Sequence, residues 1–266
     1  MDGTFLNSES EISAESIRVV DECEKLGIKF AVCSGRTIPA LNHFREELGG
    51  RGYLVGSNGG HIVKADLSET IARKTLSMND AEYVFNLSQI ADTHLMVWSG
   101  DTLYVDGDNE YTRAYEKLSF HKMTIYDRND PPFLKETLPD GRSPVEKMFW
   151  YNDAETTARL VKYTQAFVPD TINFSQSGST FIEIVDKSVD KACGLKILAN
   201  HLGISMDEVV CFGDADNDIP MLKAAGMSVA VANANENVKK IAKMITDTND
   251  NGGVLKAFCK LFDIVL

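Results

Sequence analysis

Four times along this chain a short apolar run stops at a small polar turn. "FAVC" precedes Ser34-Gly35-Arg36, "YLVGS" precedes Asn58-Gly59-Gly60, "VVCF" precedes Gly213-Asp214, and "VAVA" precedes Asn233. Between these runs lie segments of helical period. "SAESIRVVDECEKL" (13–26) opens on Ser13 as an N-cap, carries Ile17, Val20 and Leu26 on one period and ends at Gly27; "IPALNHFREEL", "CGLKILANHLG", "IPMLKAAG" and "ENVKKIAKMI" follow the same rule. Buried strands alternating with helices define a parallel α/β sheet, and the polar turns then gather at the carboxyl ends of its strands, where such sheets bind ligands.

The grammar changes over residues 79–186. "DAEYVFNLSQIA" is helical, "HLMVWSGDTLYVD" reads as a hairpin around Ser99-Gly100-Asp101, and "VEKMFWYN", a further helix and "TINFSQSGSTFIEIV" with its own Gly-centred turn complete the segment. Strands joined by tight turns imply an antiparallel α+β unit. The βα alternation resumes afterwards, so the expectation is a discontinuous core domain, 1–78 with 187–266, interrupted by an α+β domain over 79–186.

A chain of 266 residues with 44% hydrophobic content has enough apolar material for two such cores. Its net charge of −12 argues against nucleic-acid or anionic-membrane partners. An anionic phosphate would be repelled too, unless a cation sits in the site. The five cysteines form no C-x-x-C pair and mostly lie in apolar runs, as small hydrophobes do in a reducing compartment. With no basic-then-apolar leader and no long apolar stretch, a cytoplasmic location is expected.

"GDADND" (213–218) packs three carboxylates into five residues. Either they are solvated at a helix start or a cation holds them. An EF-hand is excluded, because Ile219 stands where that loop needs Gly and Ala225 where it needs the bidentate Glu; "DTNDNG" from Asp247 fails similarly at Phe258. Lys191, at the start of a helix, opposes the helix dipole unless an anion lies nearby. Ser34-Gly35-Arg36 offers a hydroxyl, a glycine amide and a helix start, the parts of a phosphate cradle. The histidines lack ligand spacing; His43, His94 and His201 read as structural or surface groups, with His61 nearest a site-lining position.

In that order and with that interruption, Asp2-Gly3-Thr4, Ser34-Gly35-Arg36, Lys191 and Gly213-Asp214-x-x-Asn217-Asp218 resemble the haloacid dehalogenase superfamily, and within it the Cof-type sugar-phosphate phosphatases. "SNGG", "VANANENVKKIA" and "NGGV" extend the resemblance over nearly the whole chain. It implies a doubly wound Rossmann-like core with a C2-type cap, and magnesium-dependent hydrolysis of phosphate monoesters through an aspartyl-phosphate. On that resemblance Asp2 is the general acid/base and gives its backbone carbonyl to magnesium, Ser34 holds the phosphoryl group and Lys191 neutralises it. Asp214 is the carboxylate ligand of the metal and Asp218 supports its shell. Thr4, Gly35, Arg36, Asn58, Asn217 and Asn233 complete the substrate and phosphate contacts.

One residue does not carry over. The family's Asp-x-Asp-Gly-Thr has its nucleophile two residues before the acid/base, and here Met1 occupies the middle place. The expectation is therefore a sequence that starts short of its first strand, an active parent phosphatase, and no turnover by these 266 residues alone. The rival readings are a phosphomutase and a catalytically dead sugar-phosphate binding or regulatory protein. The expected partner is a small phosphorylated metabolite; hexose phosphates, other sugar phosphates, pyridoxal phosphate and flavin mononucleotide all fit, and selectivity would fall to the cap.

Overall fold

The computed structural model describes residues 1–164, 167–177 and 179–264, with Ser177 described by its backbone alone. The Gly178 turn expected in the middle segment lies outside the described residues. The chain divides into two compact units, Met1–Arg73 with Asp190–Leu266, and Lys74–Val189. The class is α/β with parallel-strand sheets, as the sequence implies.

In the first unit α1 (Ala14–Leu26) leads to β1 (Ala31–Cys33), α2 (Ile38–Glu47), β2 (Tyr53–Gly56), β3 (His61–Lys64) and β4 (Thr70–Arg73). Ser13 caps α1 by accepting the Ser16 amide at 3.2 Å, and Gly27 closes it in the left-handed region at φ 69°. The buried face of α1 is Ser16, Val19, Val20 and Cys23; Leu26, expected on it, is half exposed because it lies at the open last turn. β1 and β2 are parallel, but β3 and β4 return antiparallel to them. The sequence shows one strand there. A short turn over Ser57–Gly59, with Asn58 at φ 55°, makes a second pass of the chain possible.

The second unit contains α3 (Met78–Ile90), β5 (His94–Ser99), β6 (Thr102–Val105), α4 (Glu110–Ser119), β7 (Met123–Ile125), β8 (Val145–Tyr151), α5 (Ala154–Thr164), β9 (Ile172–Ser177) and β10 (Phe181–Asp186). Its single sheet runs β7-β6-β5-β8-β10-β9. Ser99 pairs with Thr102 across the expected tight turn. β7 departs from the antiparallel expectation by running parallel to β6, because α4 carries the chain across. Asn109 and Thr112 form a capping box that starts α4 in an otherwise polar stretch.

The chain re-enters the first unit through α6 (Lys191–Leu202), β11 (Val210–Gly213), α7 (Ile219–Ala224), β12 (Met227–Ala230), α8 (Glu236–Ile241), β13 (Met244–Ile245) and α9 (Gly253–Leu261). β11, β12 and β13 form a parallel sheet separate from β1–β4. The expected helix over "ENVKKIAKMI" ends at Ile241, and its last residues become β13; the Lys243 amide donates to Ser228 Oγ at 3.1 Å and turns the chain into the sheet. All five cysteines are free, with Cys23, Cys211 and Cys259 buried. No helix among the described residues is long and apolar enough to cross a membrane.

Candidate active site

The turn Met1–Thr4 collects most of the residues singled out above. The Met1 carbonyl accepts the Thr4, Phe5 and Leu6 amides, which coils the segment into a compact turn. Gly3 holds φ 69°, and a Cβ there would stand 2.6 Å from Asp214 Oδ2, so only glycine lets the turn approach that carboxylate. Thr4 Oγ1 donates to Asp214 Oδ1 at 2.5 Å, and Asn233 Nδ2 donates to the Gly3 carbonyl at 2.7 Å. The turn is thereby fastened to the carboxyl ends of β11 and β12.

Arg36 fastens it to β1. Its guanidinium donates to both Asp2 oxygens, the shortest contact being 2.7 Å from Nη2 to Oδ1, and lies 5.2 Å from the centre of the Phe44 ring. Burial opposes ionisation of Asp2, but Arg36 outweighs it and holds the carboxyl below its usual range. The Arg36 backbone N–H donates to Ser34 Oγ at 3.1 Å, which directs the hydroxyl's own proton away from the turn.

The three carboxylates of "GDADND" take three separate positions. Asp218 is buried; its Oδ1 accepts Lys191 Nζ at 2.5 Å, and its Oδ2 accepts the Asp214 and Ala215 amides at 2.9 and 3.1 Å. Burial works against its charge, yet Lys191 prevails and keeps the carboxyl below its usual range, while Lys191 stays charged for the same reason. Asp216 points elsewhere and accepts Asn235 and Asn237, both at 3.1 Å. Asp214 is left with the Thr4 hydroxyl, and burial pushes its carboxyl up despite that bond.

Asn217 Nδ2 reaches Asn58 Oδ1 at 3.5 Å, joining the ends of β2 and β11, and Gly35 lies against Asn58. A Cβ on Gly35 would sit 3.1 Å from Asn58 Oδ1. The structure thus brings together Asp2, Thr4, Ser34, Gly35, Arg36, Asn58, Lys191, Asp214, Asn217, Asp218 and Asn233. Two of these have a commitment the sequence does not show: Thr4 gives its hydroxyl to Asp214 rather than to a ligand, and both oxygens of Asp218 are engaged in positioning Lys191 and the Asp214 loop. His61 is buried in β3, opposite Gly56. His43 and His201 lie near Glu47 and Glu69, and His94 near Asp106.

Sequence reasoning missed Asp190. Its side chain caps α6 by accepting the Cys193 amide at 2.6 Å, and its carbonyl packs against Gly59 so closely that a Cβ there would come within 2.2 Å. Asp190 therefore sets where Lys191 begins its helix. An Asx residue directly before a helical run was the available signal.

A polar cluster of this kind, at the carboxyl ends of parallel strands, has the makings of a phosphoryl-transfer site: a buried lysine, a serine hydroxyl on a β-to-α turn, and a buried carboxylate facing an acidic turn. The profile of the haloacid dehalogenase-like hydrolases matches residues 1–258, and the chain belongs to that family. It is 28% identical over 257 residues to the 5-amino-6-(5-phospho-D-ribitylamino)uracil phosphatase of Bacillus subtilis, covering 97% of this chain and 91% of that one. It is 30% identical to the phosphoglycolate phosphatase of Methanopyrus kandleri, covering 100% and 96%. Among solved structures, a haloacid dehalogenase-like hydrolase from Bacteroides thetaiotaomicron superposes with a TM-score of 0.83 at 30% identity, over 98% of this chain and 97% of that one. The chain is a phosphoric monoester hydrolase of this family.

Proposed function

We propose that this hydrolase removes phosphate from small phosphorylated metabolites with the help of magnesium, through an attacking carboxylate that is not among these 266 residues. The observation that carries the reading is the buried Lys191–Asp218 pair beside Asp214. An acidic protein that buries a cation next to a second, poorly compensated carboxylate has prepared a place for an anion and a divalent cation together. Asp214 and the Asp2 carbonyl are hard oxygen donors of the type magnesium takes, whereas among the described residues no group of three or more His, Cys, Asp or Glu side chains is placed to hold a metal alone. When bound, the metal supplies charge that offsets the phosphate's.

The remaining roles fall to the chain's own groups. Lys191 places its ammonium against the phosphoryl oxygens, and the Ser34 hydroxyl, turned outward by the Arg36 amide, donates a hydrogen bond to one of them. Asp2 delivers a proton to the leaving alcohol and later takes one from water; release from Arg36 lets its pKa rise toward that task. Asn58 and Asn217 orient the ester. The two curated relatives act on different phosphate esters, so the substrate class is proposed only as small phosphorylated metabolites.

The test measures phosphate release from a panel of phosphorylated metabolites, with magnesium or with chelator, by the 266 residues and by a chain carrying Asp immediately before Met1. Release by the extended chain alone, abolished by chelator, is expected. Release by the 266 residues would overturn the assignment of the nucleophile, and transfer to a second sugar hydroxyl instead of water would make the protein a mutase.

A further inference from the structure

The loop "DTNDNG" (247–252), which fails as a calcium loop, turns its polar groups onto the segment that follows the acidic turn. Asn249 Nδ2 donates to the Leu6 carbonyl at 2.9 Å, and Asp250 accepts the Ser8 amide at 2.7 Å together with the Ser8 hydroxyl. The loop is itself held from behind. The Asp247 carboxylate accepts the Thr248 amide at 2.8 Å and Lys256 Nζ at 2.6 Å, and the Asp247 carbonyl accepts the Ala232 amide at 3.1 Å, which ties the loop to the chain just beyond β12. A Cβ on Gly253 would lie 2.1 Å from that carbonyl, so the loop can close there only on glycine.

A further contact reaches the candidate site. The Asn249 backbone N–H donates to Asn233 Oδ1 at 3.0 Å, and Asn233 Nδ2 donates to the Gly3 carbonyl at 2.7 Å. Together the two bonds fix which way the Asn233 amide faces, because a flip would set its NH₂ against the Asn249 N–H and its oxygen against the Gly3 carbonyl. Gly3 has no side chain by which its rotation could be stopped, so the carbonyl is the group that must be held. The φ and ψ of Gly3 set the angle between its two rigid peptide planes, and holding the Gly3–Thr4 plane therefore directs the Asp2 carbonyl on the other. One residue, Asn249, thus holds the Leu6 carbonyl directly and the Gly3 carbonyl through Asn233.

We propose that Asn249 is a positioning residue: through Asn233 and Leu6 it sets the Met1–Thr4 turn against the ends of β11 and β12 and so directs the Asp2 carbonyl toward the metal. The positioning of the turn stands on the hydrogen bonds; only its consequence for magnesium rests on the proposed function.

The test compares Asn249→Ala, which removes the bond to Leu6 and keeps the backbone N–H, with Asn249→Pro, which removes both. Proline fits at 249, because Thr248 holds φ −68° and ψ 160°, a conformation open to a residue before proline, and Asn249 is the first residue of the short 3₁₀ turn Asn249–Asn251. Asn233→Leu breaks the same link with the loop untouched. Amide exchange is followed at Thr4, Phe5 and Leu6, whose N–H groups all donate to the Met1 carbonyl, and magnesium alone is titrated by calorimetry. The proline and leucine variants are expected to speed exchange at those three amides while β12 and α9 keep theirs, and to weaken magnesium binding about tenfold, with the alanine variant between them and the parent. Exchange at the turn unchanged in both variants would overturn the proposal, and so would acceleration spread evenly over β12 and α9, the mark of a loop that only stabilises the fold. A loosened turn with magnesium affinity unchanged would overturn it as well. A parent chain that binds no magnesium, with the turn loosened in both variants, would leave the positioning standing and remove the metal from the proposed function.

Discussion

The two units of this chain complete their sheets differently. In Lys74–Val189 one sheet carries all six strands, and its central strand β8 is buried along its whole length, with Trp150, Tyr151 and Met148 shielded from solvent. In the other unit the strands fall into sheets of four and three, where among the described residues β1 pairs only with β2 and β11 only with β12. The first gathers its strands into one sheet, and the second keeps its polar cluster at the strand ends of two. The inserted unit is thus held by one continuous sheet, whereas in the other the polar cluster itself ties the ends of two sheets together, through Thr4 to Asp214 and Asn217 to Asn58.

The largest test of that contrast removes a large side chain from the finished sheet. Trp150 is fully buried and packs edge-on to Phe174 at 5.2 Å. Trp150→Ala should cost about 4 kcal/mol, all of it in the inserted unit. Calorimetry should show one transition falling while the transition of the other unit stays in place; a common fall would show that the units unfold together and that the contrast has no energetic meaning.

The next test acts on the other unit. Lys191→Met strips the buried Asp218 of its hydrogen-bonded cation and should cost about 3 kcal/mol. Adding Asp218→Leu removes the stranded charge and should recover part of that loss, while phosphate affinity stays lost in both variants. Equal stability of the single and double variants would mean that the pair does not couple. Gly59→Ala comes third: at φ 101° and with the Asp190 carbonyl where its Cβ must go, it should cost about 2 kcal/mol and displace the start of α6. Its signature is weaker phosphate binding together with the stability loss, measured by titration calorimetry and denaturant unfolding.

Much of this was legible in the sequence because the signals were local. Ser13 and Gly27 bracket α1, and apolar runs ending in polar turns locate β1, β2, β11 and β12 with the site at their ends. What escaped is non-local. That Thr4 is committed to Asp214, 210 positions away, follows from how the turn coils and not from any spacing. The spacing of "GDADND" does not separate its three carboxylates; the resemblance sets Asp214 and Asp218 apart, and the commitments that distinguish all three appear only with the approach of Lys191 to Asp218 and of Asn235 and Asn237 to Asp216. β3, β4 and β7 were missed because a three- or four-residue strand is too short to show a period. Asp190 was missed because its function is to place its neighbour.

The smallest effect concerns pH. Asp218 has its pKa held below the unfolded value by Lys191, so its contribution to stability is present above the ordinary carboxylate range and is lost as pH falls through the folded value. In the inserted unit the carboxyls with lowered values, such as Asp108, Asp140 and Asp153, are solvent-exposed pairs or caps whose contribution is screened. Acid should therefore lower the transition of the Asp218-bearing unit more than that of the inserted one, by a few degrees between pH 6 and pH 3, and Asp218→Asn should reduce the difference, Asp2 beside Arg36 supplying the remainder. Alkali cannot make the same distinction. Burial pushes Cys33 and Cys211 up to about 11 and about 12 in one unit and raises Tyr126 and Tyr151 in the other, so both units lose stability as pH rises past the unfolded values of those groups. An acid limb shared equally by the two transitions would place the deciding carboxylates outside the Lys191–Asp218 pair.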